Sequence, residues 1–487
     1  MEKRQDLGIP YGVANFKTIR TEGLYYVDKT EYLAKLEARD RFVFFVRPRR
    51  FGKSLFLDML RLYYDRNEKA NFETLFGGLW IGSHPTPNRN RYLMLKLDFS
   101  EVGKGADAPL DQKFDLYLST MLDLLLSANA DLFTAEFAAE CKRQPVGAKF
   151  DLVVKGARAK GVPAYLVIDE YDNFTNDLIR SAGSDPYRTI THGTGFYRRW
   201  FKTFKSSFDR IFMTGVSPVT MDDLTSGFNI AANISQDAAF NAMLGFTEAE
   251  TLQLYRDFKG VGEYQDGDPE TVVRAIKPWY DGYCFAKAKI GKESVFNSDM
   301  VLYHLKSMVA EGVPPEDMVD VNISTDYAKL ETIVDLQRQA GAKDALPVLK
   351  DILRGLPFEI HSSFDIDRIG RQELVPTILH NAGMLVPVKS YQGLIYYSFP
   401  NIAEGLSYLY LLNGWNRAND HYIVELKHSK ADASDAELAA KADEGIAQLR
   451  RYAADPFVPD LAKDTALHLI LYQFKGTDLI RLEEIGR

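Results

Sequence analysis

Two hydrophobic spacings alternate along the first 235 residues. Continuous apolar runs at Phe42-Val43-Phe44-Phe45-Val46, at 92–98, at Ala164-Tyr165-Leu166-Val167-Ile168 and at 211–215 predict strands buried on both faces. Stretches with helical spacing, such as 111–127 and 146–160, separate them. Strands alternating with helices predict an α/β fold, a parallel sheet covered on both faces. After about residue 236 the pattern turns helical, with segments from Ala242 to Phe258 and from Pro269 to Trp279. A helix at about 371–382 then precedes two short strands, Met384 to Lys389 and Leu394 to Phe399, which suggests a winged-helix-like module. The last stretch reads as strand, helix, strand: Tyr422 to Lys427, Asp435 to Tyr452 and Leu467 to Tyr472. The expected divisions are therefore 1–235, 236–400 and 401–487.

The first apolar run enters a turn, Arg47-Pro48-Arg49-Arg50-Phe51-Gly52-Lys53-Ser54, and then a helix with Leu55, Met59 and Leu62 on one face. A strand, a turn ending Gly-Lys-Ser and a helix form a phosphate cradle, because backbone N–H groups of the turn and helix start point at the anion. Arg49, Arg50, Phe51, Gly52, Lys53, Ser54 and Leu55 are the candidate nucleotide-binding residues. Lys53 would reach the β/γ oxygens and the Ser54 hydroxyl would take one position on Mg²⁺. One residue departs from the usual G-x-x-x-x-G-K-[ST] spacing: Arg47 stands where the first glycine is expected.

The run ending at Ile168 continues into Asp169-Glu170-Tyr171-Asp172. A carboxylate at the C-terminal end of a buried parallel strand emerges beside the phosphate loop, as in a Walker B segment. Asp169 would hold Mg²⁺, directly or through water, and Glu170 would act as general base toward the attacking water. A plain acidic turn is the alternative, which the upstream Gly-Lys-Ser loop disfavours. The next strand brings Thr214 as first candidate for a sensor of the γ-phosphate or lytic water, with Ser217 second.

Other features weigh less. Phe16, Ile19 and Tyr26 in the N-terminal lead-in are candidates for stacking on a base, although core packing is the commoner use of such residues. The run Phe196 to Lys205 interleaves basic and aromatic residues, but Tyr197, Trp200, Phe201, Phe204 and Phe208 share one helical face, which describes a packed helix with a solvated basic side. An arginine there, or Arg210, is a candidate arginine finger.

Composition narrows the partners. A net charge of −8 over 487 residues supplies no global field for nucleic acid. Two cysteines far apart, Cys141 and Cys284, fit no disulfide framework. No run of eighteen apolar residues exists, and the charged N-terminus reads as no signal peptide, so a cytoplasmic protein without membrane association is expected. A protein or DNA partner is not specified, and assembly into a ring or dimer stays as open as a monomer.

The final stretch carries a second constellation. Glu425 and Lys427 share one face of a strand, and Gln448 and Tyr452 lie one turn apart on the following helix. Glu-x-Lys followed by Gln-x-x-x-Tyr resembles the core of a RecB-like PD-(D/E)XK nuclease, in which carboxylates hold Mg²⁺ and the lysine polarises water or phosphate.

With Tyr25-Tyr26-Val27-Asp28-Lys29-Thr30, the Arg47 to Ser54 loop, Leu166 to Asp172, Thr214-Gly215-Val216-Ser217-Pro218, Trp279-Tyr280-Asp281-Gly282-Tyr283 and Glu425-Leu426-Lys427 assembled, the chain resembles the bacterial AAA-ATPase-like family whose members carry a C-terminal PD-(D/E)XK domain. The resemblance covers most of the chain and makes Arg47 a family mark. It implies a P-loop NTPase of the additional-strand, AAA-like subclass, a helical lid with a winged-helix-like middle region, and a nuclease-like α/β domain, with ATP and Mg²⁺ as ligands. The nuclease-like part looks truncated: about two dozen residues separate Phe399-Pro400-Asn401 from Glu425, and Asp420, the one aspartate between them, is expected at the base of the same strand. Residues 421–460 also hold eight Asp/Glu against five Lys/Arg, which repels DNA. Glu425, Lys427, Gln448 and Tyr452 are therefore read as a relic nuclease site. The expected function is an ATP-binding, Mg-dependent ATP-hydrolysing regulatory protein; a non-hydrolysing nucleotide switch and an active ATP-regulated DNA nuclease are the alternatives.

Overall fold

The computed structural model describes residues 7–102, 108–173, 189–191, 195–216, 231–320, 348, 351–352, 357–361, 372–381, 383–391, 394–401, 420–429, 432–454, 466–475 and 478–485. Ser217 and the stretch between Asn401 and Asp420 lie outside the described residues. The chain divides into two compact units, the first mainly Met1–Phe246 and the second mainly Thr247–Lys259, Tyr264–Ile360 and Gly370–Arg487.

Unit one is built on β1 (Phe42–Val46), β2 (Leu93–Asp98), β3 (Ala164–Asp169), β4 (Arg210–Gly215) and β5 (Ala232–Asn233). They form one sheet in the order β2-β3-β4-β1-β5, and every pair is parallel. All six residues of β3 are buried, as an unbroken apolar run requires. The insertion of β4 between β1 and β3 aligns Phe45 with Thr214 and Ile168 with Met213, so the three strands end together. Helices Lys53–Tyr64, Leu110–Ala128, Val146–Ala159 and Phe196–Ser207 join or flank them. A parallel core with flanking helices results.

Phe16 and Ile19 are fully buried, and Phe16 stacks on Phe76 at 5.3 Å, so both pack the core and neither can stack on a base. Tyr26 packs edge-on against Phe16 and donates its hydroxyl to Met59 Sδ at 3.0 Å. In the Phe196–Ser207 helix the aromatic face is buried, with Phe150 against Trp200 and Phe204, while Arg199 and Lys202 are exposed. Arg210 is no free finger: its Nη2 donates to Glu37 O at 2.7 Å, satisfying a terminal carbonyl of helix Glu31–Glu37.

In unit two the expected Ala242 to Phe258 helix is shorter, running Glu248–Phe258. Gly245 takes φ 79°, and Thr247 with Glu250 forms a reciprocal cap that starts the helix. Helices Pro269–Tyr280 and Ser298–Glu311 follow. Helix Val375–Asn381 precedes an antiparallel hairpin of β6 (Val386–Tyr391) and β7 (Leu394–Ser398). The C-terminal stretch is a sheet in the order β10-β9-β8, from β8 (Asp420–Ser429), β9 (Ala466–Lys475) and β10 (Asp478–Ile485). Strands β8 and β9 are parallel, with helix Asp435–Ala453 between them in sequence. Ala442 and Leu449 of that helix pack with Leu469, Leu471 and Ile485. No helix among the described residues is long and apolar enough to cross a membrane.

Candidate functional site

Gly52 takes φ 84°, a left-handed conformation that costs glycine little, and directly precedes helix Lys53–Tyr64. Arg50 also has positive φ, at 62°. The Phe51 side chain is buried, so its contribution to a ligand is confined to the backbone. Lys53 and Ser54 occupy the first turn of the helix, where unsatisfied N–H groups favour an anion.

Three carboxylates face Lys53. Burial lowers its ammonium to about 8, opposed by the negative charges of Asp169, Asp172 and Glu170, while Arg49 lowers it further. Lys53 Nζ donates to Arg47 O at 3.0 Å and Pro48 O at 2.7 Å. Asp169 is 2% exposed at the end of β3, and its Oδ1 accepts from Glu170 N at 3.0 Å and Thr214 Oγ1 at 2.6 Å. Glu170 turns away from the strand with φ 46°. Burial pushes its carboxyl above the ordinary value, and Asp169 and Asp98 push the same way against Arg49 and Lys53. The structure thus brings Lys53, Asp169, Glu170 and Thr214 together at the carboxyl ends of β1, β3 and β4.

Oxygen donors of this kind could hold Mg²⁺, which takes its remaining ligands from phosphate and water: Asp169, whose Oδ1 is engaged, and Ser54, in the first turn of the helix after Gly52. Asp172, quoted in the motif but given no role from sequence, accepts from Val216 N at 3.1 Å and fastens the exit of β4. Asp98 was also missed; its register position opposite Asp169 follows only from the pairing of β2 with β3.

With this geometry in hand, comparison with known proteins decides the class of the first unit. Residues 10–225 match the family model for AAA-ATPase-like proteins, described as Predicted AAA-ATPase. The chain carries an AAA-ATPase-like domain. A relative from Azotobacter chroococcum mcd 1, described as an uncharacterized protein in the vnfD 5′ region, is 29% identical over 282 residues. That alignment covers 56% of this chain and 48% of the relative, so the chain spans about half the relative's length. The structure of the Aeropyrum pernix ORC2 protein (ADPNP-ADP complexes) compares with a TM-score of 0.35 and 11% identity, over 79% of this chain and 91% of that one.

Away from the AAA-ATPase-like domain, Glu425, Lys427, Gln448 and Tyr452 also come together. Lys427 Nζ lies 3.1 Å from Glu425 Oε1 and donates to Gln448 Oε1 at 3.1 Å, while Gln448 Nε2 donates to the Tyr452 hydroxyl. Glu444 joins them, 2.9 Å from Lys427 Nζ. Its signal was its place one turn before Gln448. Asp420 opens β8, as expected. Glu425 is paired with Lys427.

Proposed function

We propose that the AAA-ATPase-like domain binds ATP and hydrolyses it with Mg²⁺, as a regulatory module driving a change in the rest of the chain. The observation that carries this reading is the convergence of Lys53, Asp169, Glu170 and Thr214 on adjacent strand ends.

In this reading, loop amides from Arg49 to Leu55 cradle the phosphates, and Lys53 exchanges its two loop carbonyls for β/γ oxygens. Bound Mg²⁺ would neutralise charge developing on the phosphates, held by Ser54 and Asp169. Glu170 orients the attacking water and takes its proton, a role helped by a carboxyl raised through burial. Thr214, bonded to Asp169, holds that carboxylate in place, which is a different task from the direct phosphate contact expected of it.

Phosphate release and retention of radiolabelled ATP, measured on the wild type, Lys53→Ala and Glu170→Gln, test this. Lys53→Ala should lose retention; Glu170→Gln should retain ATP with release reduced at least about a hundredfold. A wild type retaining no purine triphosphate would refute the reading. A second reading, a switch that binds without turnover, is favoured by the satisfaction of Lys53 within its own loop. Tight retention with no wild-type phosphate release would select it.

For the C-terminal stretch we infer a degenerate nuclease-like domain, supported by the engagement of Lys427 with Glu425, Glu444 and Gln448. A phosphate would have to displace these partners before Lys427 could polarise it.

A further inference from the structure

The segment after β5 is gripped by cationic side chains. Arg47, 1% exposed, donates from Nη1 to Val46 O at 2.9 Å and to Ser235 O at 2.7 Å, and from Nη2 to Phe240 O at 3.1 Å. Its guanidinium lies over the Phe45 ring, 4.1 Å from the centroid. Lys29, buried in the Asp-Lys-Thr lead-in, donates to Ala242 O at 3.0 Å, and Arg39 pairs with Asp237. Ser235 Oγ in turn accepts from Val46 N at 2.8 Å.

Arg47 also has a second set of partners. Its N–H donates to Gly215 O at 3.3 Å, at the end of β4, and its carbonyl accepts from Lys53 Nζ. One residue thus touches the phosphate-loop lysine through its backbone and the Ser235–Phe240 segment through its side chain. Glycine, usual at this position, could do only the first. A buried guanidinium is costly unless it is paired, and both Nη groups of Arg47 meet these carbonyls, so the carbonyls are held in place by the charge they satisfy.

We propose that Arg47 couples the phosphate loop to residues 235–242, so that nucleotide arrival at Lys53 alters how that segment is held. The inference rests on the nucleotide-binding reading above. A triphosphate draws Lys53 off Arg47 O, and residue 47 shifts. Its guanidinium transmits the shift because a close-packed interior repacks between discrete arrangements and does not yield gradually. From Ala242 the chain continues through Gly245 to the Thr247 cap that starts helix Glu248–Phe258, so the coupled segment is the covalent entry to the second unit.

Hydrogen exchange reads this directly. Phe240 O accepts from both Arg47 Nη2 and Met243 N, and the Asp237 and Phe240 amides bond within the same segment. Full-length protein is compared with and without saturating Mg²⁺ and a non-hydrolysable ATP analogue, with occupancy measured separately by equilibrium dialysis. In the wild type, exchange across 236–246 should change about tenfold on binding. Arg47→Met should bind the analogue and lose that difference, whereas a merely structural role would alter exchange equally in both states. Arg47→Lys, reaching one carbonyl in place of several, should keep roughly half of the difference and carries the test if Arg47→Met does not fold. Unchanged exchange in an occupied wild type, or an undiminished difference in an occupied variant, would overturn the coupling. A chain with no analogue in dialysis overturns the nucleotide reading itself, so the two failures are told apart.

Discussion

Thr214 Oγ1 donates a 2.6 Å hydrogen bond to Asp169 Oδ1, although the two residues stand on neighbouring strands 45 positions apart. The bond holds the Asp169 carboxylate, whose Oδ1 also accepts from Glu170 N. It exists because β4 is inserted between β1 and β3, leaving Thr214 beside both.

Replacing Thr214 by valine keeps the volume and removes the donor. Asp169 Oδ1 then retains only the Glu170 amide, and a hydrogen bond to a charged group is worth about 2 kcal/mol. Mg²⁺-dependent phosphate release should fall roughly thirtyfold, with the Mg²⁺ concentration for half-maximal rate rising, and Thr214→Ser should recover most of it. Release assays across an Mg²⁺ titration decide; a valine variant with unchanged Mg²⁺ dependence would contradict the positioning role.

The sequence made the first unit legible because buried parallel strands leave long apolar runs that no half-exposed element imitates; β1 and β3 match those runs to the residue or nearly so. What it hid was short or nonlocal. The two residues of β5 leave no periodic trace, and β10 alternates too weakly around Arg481, Glu483 and Glu484 to stand out. The burial of Arg47 was illegible, since only the fold reveals that carbonyls from 235 and 240 await its guanidinium. At the C-terminal cluster the two paired motifs were readable from spacing, whereas the engagement of Lys427 by Glu444 required the docked helix.

Lys427 and Glu425 are both largely enclosed. Removing the ammonium with Lys427→Met would leave Glu425, Glu444 and Gln448 facing one another. The expected loss is about 2 kcal/mol of stability, between the values for exposed and buried pairs. It should be visible as a lower thermal midpoint. The wild type should leave linear and nicked DNA intact with Mg²⁺ or Mn²⁺; cleavage that vanishes in the variant would replace the relic reading with an active nuclease.

His304 supplies a pH signature in the second unit. Its Nδ1 lies 2.7 Å from the Tyr255 hydroxyl, the Tyr255 and Tyr280 rings flank it, and burial lowers its pKa to about 4. The unfolded chain, with an ordinary histidine near 6.5, binds the proton first on acidification. The stabilisation is therefore complete above about 6.5 and is lost as pH falls toward 4, by about 3 kcal/mol at most. Urea midpoints measured from pH 7 to 4.5 should drop, and His304→Gln, which can keep a bond to Tyr255, should flatten that part of the slope. Equal slopes in both proteins would place the acid sensitivity elsewhere.

The Trp279-Tyr280-Asp281-Gly282-Tyr283 segment, one of the features that carry the family resemblance, is a packing element of the second unit. Asn401 Nδ2 donates to Asp281 O at 2.9 Å, Asn297 N donates to Tyr280 O at 2.8 Å, and Tyr283 exchanges backbone bonds with Val295. Gly282 has φ 95°, and a Cβ there would stand 1.9 Å from Pro400 O. Backbone strain and a clash with a carbonyl that cannot rotate away therefore act together. Gly282→Ala should destabilise by about 3 kcal/mol or more, well above the loss of about 1 kcal/mol typical of point substitutions. The unfolding midpoint of the purified variant checks this, with ATP retention as a companion measurement: stability should fall while Lys53-dependent retention persists at temperatures where the variant stays folded. A variant as stable as the wild type would show that the Pro400 approach relaxes freely, and a stable variant that loses nucleotide would give the turn a role at the phosphate site.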